Sequence, residues 1–125
     1  MKCYKCGSEL TDQNMCLQCG ADVTVYKKVA KASNQYYNLG LSKAQVRYLS
    51  GAVESLRISL ELNKSNIEAR NLLGLVYCEM GNVVEALSQW VISKNLQPDK
   101  NIASSYITSI PVSYTHLTLP TNREV

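Results

Sequence analysis

The sequence predicts an all-α fold of helix-turn-helix repeats behind a small, cysteine-rich N-terminal module. Three observations carry this expectation. The chain matches itself without a gap at an offset of 34 residues. Apolar residues recur at helical spacing through this region, punctuated by Gly81, Asn82 and Pro98. Four of the five cysteines form two C-x2-C pairs at the N-terminus.

The cysteines come first along the chain. The stretch "CYKCGSELTDQNMCLQC" places Cys3, Cys6, Cys16 and Cys19 as two pairs, each followed by glycine. Two intervening residues let both sulfurs of a tight turn point at one ion, and Gly7 and Gly20 permit the positive φ on which such a turn closes. Four thiolates make the tetrahedral sulfur set that zinc prefers. The spacer "GSELTDQNM" is polar and long enough only for a short hairpin. No strand–helix context surrounds either pair, which argues against a thioredoxin-like redox motif. The pattern resembles the bacterial zinc-ribbon family, C-x2-CG, a short polar linker and C-x2-CG, over residues 1–21. It departs at Tyr4, where proline is common, and at Met15, where an aromatic is usual. The resemblance implies a structural Zn2+ with all four positions filled. Rubredoxin-like iron is the alternative, although the spacer is shorter than that family uses.

Residues 22–32, "DVTVYKKVAKA" from Asp22, form a basic lead-in expected to extend the first repeat helix back towards the cysteines. Two units follow, 33–66 and 67–100. At the 34-residue offset Leu39-Gly40-Leu41 falls on Leu73-Gly74-Leu75, Ala52 on Ala86, Leu56 on Trp90, and Ile58-Ser59 on Ile92-Ser93. Each unit reads as two helices. In the second, helix A spans about 66–80 and Gly81 turns the backbone. Asn82 then caps helix B, with Glu85 three residues on, and Pro98 ends it. Gly74 and Ala86 allow close helix approach, and Leu73, Tyr77 and Trp90 fill the volume around that crossing.

The second unit, with Leu73, Gly74, Tyr77, Gly81, Ala86, Trp90, Ser93 and Pro98, is similar to the tetratricopeptide repeat (TPR) as found in bacterial proteins. The first unit matches less fully. Lys43 replaces the helix-A tyrosine, Arg47 the turn glycine and Lys64 the terminal proline, which implies a looser turn. The resemblance implies an α-solenoid that binds proteins. A third unit begins at residues 101–110, "NIASSYITSI", and stops there. Residues 111–125 change character. Read back into codons, "PVSYTHLTLPT" resembles the end of a transposase-based sequencing adapter from within the Pro111 codon through Thr121, and Asn122, Arg123, Glu124 and Val125 fit an index and the run to a stop. This tail is therefore expected to be non-native, and the chain a fragment of a longer protein.

Composition narrows the function classes. The chain is 46% hydrophobic and 18% charged, with no run of the ~20 apolar residues that a membrane crossing needs. The N-terminus "MKCYKCGSEL" lacks the apolar core of a secretory signal, so a cytoplasmic location is expected, and with it reduced cysteines. Four thiolates on one divalent ion would lower the formal charge of +3 to about +1. Charge therefore does not call for a nucleic-acid partner. The single histidine, His116, lies in the tail, and no catalytic triad, phosphate loop or carboxylate pair is visible, so an enzyme is not expected.

The TPR resemblance places a partner groove on the helix-A faces at Asn34, Tyr37, Leu41, Ala44 and Gln45 in the first unit, and at Glu68, Asn71, Leu75, Cys78 and Glu79 in the second. Tyr37 and Leu41 stand where some members carry a carboxylate clamp of Lys and Asn, so apolar or basic peptide segments are the expected ligands. Cys78 reads as a small core residue, and Tyr77 and Trp90 as core aromatics. The expected function is a non-enzymatic protein-interaction scaffold. One alternative is a nucleic-acid-associated regulator using the ribbon and the "YKKVAK" helix, and another is a thiolate-based redox or metal sensor.

Overall fold

The computed structural model describes residues 2–113. Residues 114–125, which include His116 and most of the adapter-like tail, lie outside the described residues. The described residues are all-α beyond the cysteine module, with five helices: α1 Thr24–Gln45, α2 Leu49–Leu62, α3 Ile67–Glu79, α4 Val83–Leu96 and α5 Ala103–Ser113. Among them no strand forms, and β-structure is confined to two isolated antiparallel bridges, Lys2–Glu9 and Met15–Asp22.

The basic lead-in and the first helix A are one continuous helix, α1. Its start is held from outside, because Asp22 Oδ1 accepts from the Thr24 backbone N–H (3.0 Å) and from the Thr24 hydroxyl (2.7 Å). α2 starts after Tyr48 without a side-chain cap, and asparagines cap α3 and α4. Asn66 Oδ1 accepts from Ala69 N–H at 3.2 Å, and Asn82 Oδ1 from Glu85 N–H at 3.4 Å. α5 runs through Pro111, past residue 110, where the third unit is expected to stop.

Pairs α1–α2 and α3–α4 form helical hairpins, α3 packs against α2 and α1, and α5 against α4. One continuous core joins them, from Tyr37, Leu41 and Leu56 through Leu72, Leu73 and Val76 to Trp90 and Tyr106. Both hairpins cross at a glycine. A Cβ on Gly74 would stand 2.2 Å from Trp90 Nε1, and one on Gly40 would stand 2.8 Å from Leu56 Cγ. Ala52 and Ala86, at matching positions on α2 and α4, are fully buried.

The turn of the first hairpin corrects the looser closure expected from Arg47. Arg47 takes φ 65°, beside 83° for Gly81. Tyr48 N–H reaches Lys43 O at 2.8 Å and Arg47 N–H reaches Ala44 O at 3.0 Å; Asn82 to Tyr77 O (2.9 Å) and Gly81 to Cys78 O (3.0 Å) repeat the pattern 34 residues on. Both helices thus end in the same left-handed cap. The Arg47 side chain then pairs with Glu79 at 3.0 Å, tying the first turn to the end of α3.

Buried polar groups sit where units meet. Ser33 and Ser59 each donate to the other's backbone carbonyl at 2.7 Å, and Asn66 Nδ2 donates to Ser33 Oγ at 2.9 Å. At the next junction Asn101 Nδ2 donates to Ser93 Oγ at 2.9 Å. Each asparagine therefore binds the preceding hairpin from the start of the following helix.

Candidate metal centre and partner surface

The two cysteine knuckles share one local geometry. In the first, Cys3 N–H bonds Ser8 O (2.8 Å) and Gly7 N–H bonds Cys3 O (3.0 Å). In the second, Cys16 N–H bonds Ala21 O (2.9 Å) and Gly20 N–H bonds Cys16 O (2.8 Å). Gly7 and Gly20 sit at φ 78° and 75°, as the sequence anticipates. Cys3 and Cys16 are buried with Val23, while Cys6 and Cys19 are exposed.

All four sulfurs lie within 4.8 Å of one another. Cys3 and Cys19 Sγ stand 3.7 Å apart, and Cys6 and Cys16 Sγ 3.5 Å. A tetrahedral ion with metal–sulfur bonds of about 2.3 Å sets its sulfurs about 3.8 Å apart. The donors are reduced and converge on one point, so the set fits a metal ion. Four protein ligands fill a tetrahedron and leave no position for water or substrate.

The sulfurs are electrostatically unequal. The Ser8 hydroxyl, with the Cys19 backbone N–H, brings the Cys16 thiol down to about 6. Ser8 also lowers Cys6. The Cys19 thiol is pushed up to about 11: the Ala21 backbone opposes the rise, but burial and the sulfurs of Cys6, Cys16 and Cys3 outweigh it.

Residues other than the cysteines also shape this module. Ser8 Oγ lies 2.9 Å from Cys6 Sγ and 3.3 Å from Cys16 Sγ. Its counterpart in the second knuckle is Ala21, so the internal symmetry gives no hint of it. Lys27 on α1 donates to the carbonyls of Thr11 and of Gln13, the latter at 2.6 Å. The rings of Tyr4 and Tyr26 meet at 5.4 Å. These contacts join the module to α1, and they give Lys27, one of the "YKKVAK" cations, a structural task.

The expected partner groove is largely withdrawn from solvent. Tyr37, Leu41, Ala44, Asn71, Leu75 and Cys78 are buried; only Asn34 and Glu68 are half-exposed, and Gln45 and Glu79 exposed. The cause is packing: α3 contacts α1, α2 and α4, which leaves its helix-A face little solvent. Cys78 is a core residue whose thiol is raised by burial. Asn71 donates to Asn101 Oδ1 at 3.1 Å, while its own Oδ1 is buried without a partner. Glu79 is engaged by Arg47. The cleft between α2, α3 and α4, lined by Arg57, Arg70 and Tyr77, is absent from the sequence-based groove. Its residues come from both units, and no motif joins them.

Comparison of the chain with family models, curated proteins and solved structures finds no match. Among the described residues no helix is long and apolar enough to cross a membrane.

Proposed function

We propose that this chain is a non-enzymatic scaffold in which stacked TPR-type hairpins hold protein partners and a structural zinc ion supports the N-terminal module. The observation that carries the reading is the repeated hairpin closure. Gly40 against Leu56 and Gly74 against Trp90 make the same crossing 34 residues apart, and Arg47 and Gly81 make the same cap. Units of this kind bury a shared seam and offer their outer faces for recognition. Four converging sulfurs with no open ligand position support a structural role for the metal, and an all-thiolate tetrahedron favours zinc over harder cations.

Two measurements test this reading. Native mass spectrometry of the reduced chain is expected to show about one zinc per molecule, and chelation is expected to remove the bridges of the cysteine module while the helical circular dichroism persists. A chain that binds no zinc with its thiols reduced overturns the metal assignment. Selection from a random-peptide display library against the metal-loaded chain is expected to enrich peptides sharing a motif that bind in solution. Enrichment no greater than on heat-unfolded chain overturns the scaffold.

A further inference from the structure

The cleft between α2, α3 and α4 has a volume of about 490 Å³. Its floor is apolar, from Leu60, Leu73 and the ring of Tyr77. Three cations line it: Arg57 and Lys64 from the first unit and Arg70 from the second. The two guanidiniums are held in place by neutral oxygens. Arg57 donates through Nη2 (2.8 Å) and Nε (3.2 Å) to Tyr77 OH. Arg70 donates through Nε to Lys64 O and through Nη1 to Gln89 Oε1, each at 3.0 Å. Glu61 and Glu85 also line the cleft, both exposed, and neither forms an ion pair with Arg57 or Arg70. Burial pulls the Arg70 pKa down from its ordinary value.

Arg70, half-buried and oriented by neutral oxygens, is the cation partly stripped of water, whereas Arg57 is exposed and is stabilised by the Tyr77 hydroxyl and the charge of Glu85. The donors that the two guanidiniums leave unused can be met by an anion arriving from outside. The repeat supplies an internal control. Thirty-four residues on, the positions of Arg57, Lys64 and Arg70 are occupied by Val91, Pro98 and Ser104. The hairpin junction is thus built elsewhere in the same chain without these charges, so their presence here is not a requirement of the fold.

From this we infer that the α2–α3–α4 cleft binds an acidic segment of a partner protein, with side-chain carboxylates on Arg57 and Arg70 and apolar side chains on Leu60, Leu73 and Tyr77. This rests on the scaffold reading above and gives it a partner chemistry. It also moves recognition from the buried helix-A face to the junction between hairpins.

The test uses the full metal-loaded chain and a labelled, acetylated and amidated octapeptide alternating leucine with glutamate. By fluorescence anisotropy it is expected to bind at least about tenfold more tightly than its leucine–glutamine counterpart, the loss of charge-assisted bonds being of that size. The double variant R57Q/R70Q is expected to abolish that preference. K28Q/K31Q, which removes the same charge from exposed positions on α1, is expected to leave it within about twofold. Equal binding of the two peptides, an equal loss in K28Q/K31Q, or displacement by a short single-stranded oligonucleotide at lower concentration than by free acidic peptide overturns the inference. Should R57Q/R70Q fail to fold, NMR of the unsubstituted chain decides. The Nε–H signals of Arg57 and Arg70 must shift on titration with the acidic peptide, and unmoved signals overturn the cleft. Library peptides that bind without moving those signals also overturn it, while leaving the scaffold reading intact.

Discussion

The two hairpins use different residues to make the same joint. In the second, Gly81 adopts the left-handed cap at no steric expense and Gly74 accepts the flat face of Trp90. In the first, Arg47 is forced into the same φ region, and Gly40 meets the smaller, branched Leu56. A non-glycine residue in that region costs about 1–2 kcal/mol. Here the cap's hydrogen bonds and the Arg47–Glu79 pair offset it. The difference teaches that closure geometry belongs to the hairpin, and that side chains at the turn only set its energy.

Removing the large partner at each crossing should produce the greatest change. Trp90 is fully buried, donates to Asn71 O at 3.1 Å and meets the Tyr106 ring at 5.3 Å. Trp90→Ala is expected to destabilise by about 4 kcal/mol and Leu56→Ala by about 3 kcal/mol, read from urea denaturation followed at 222 nm. Equal midpoints for the two variants would mean that the indole adds nothing over the isobutyl group.

The reciprocal change fills the glycine side. A methyl at Gly74 collides with a rigid ring, whereas one at Gly40 meets a side chain with more freedom to rotate. Overpacking costs about 1–3 kcal/mol and alanine returns about 1 kcal/mol of helix propensity. Gly74→Ala should therefore lose about 2 kcal/mol, and Gly40→Ala should fall within about 1 kcal/mol of the parent. Calorimetry of the two variants would sharpen the contrast, and a stabilised Gly74→Ala would break it.

Smallest, and opposite in sign, are the turn exchanges. Gly81→Ala places a Cβ at positive φ and should destabilise by about 1 kcal/mol. Arg47→Gly relieves the same strain but gives up an exposed ion pair worth about 0.2–1 kcal/mol. Its net effect should be a gain of a few tenths of a kcal/mol that grows with added salt. A loss of stability in Arg47→Gly at high salt would show that the arginine contributes packing beyond its charge.

Much of this architecture was legible residue by residue. Asn82 and Glu85, Gly81, and the glycine after each cysteine pair mark local geometries that short-range sterics enforce whatever surrounds them. The Arg47 turn is not legible in this way, because a left-handed arginine has no signature of its own. It becomes visible only when Tyr48 is seen bonding Lys43 O as Asn82 bonds Tyr77 O. The expected partner surface is a different case. Tyr37 and Leu75 lie at helix-A positions that the repeat resemblance assigns to a groove, and neighbouring helices bury them; Cys78, buried with them, is the core residue that its sequence context suggests.

The amino-acid sequence by itself determined where the backbone turns, which four sulfurs can share an ion, and which small residues let helices touch, because each depends on spacing over a few residues. Only the tertiary structure decided which faces keep their solvent and that Arg57, Lys64 and Arg70 line a single cleft. Burial and convergence depend on how separate helices lie against one another, and no run of neighbouring residues encodes that.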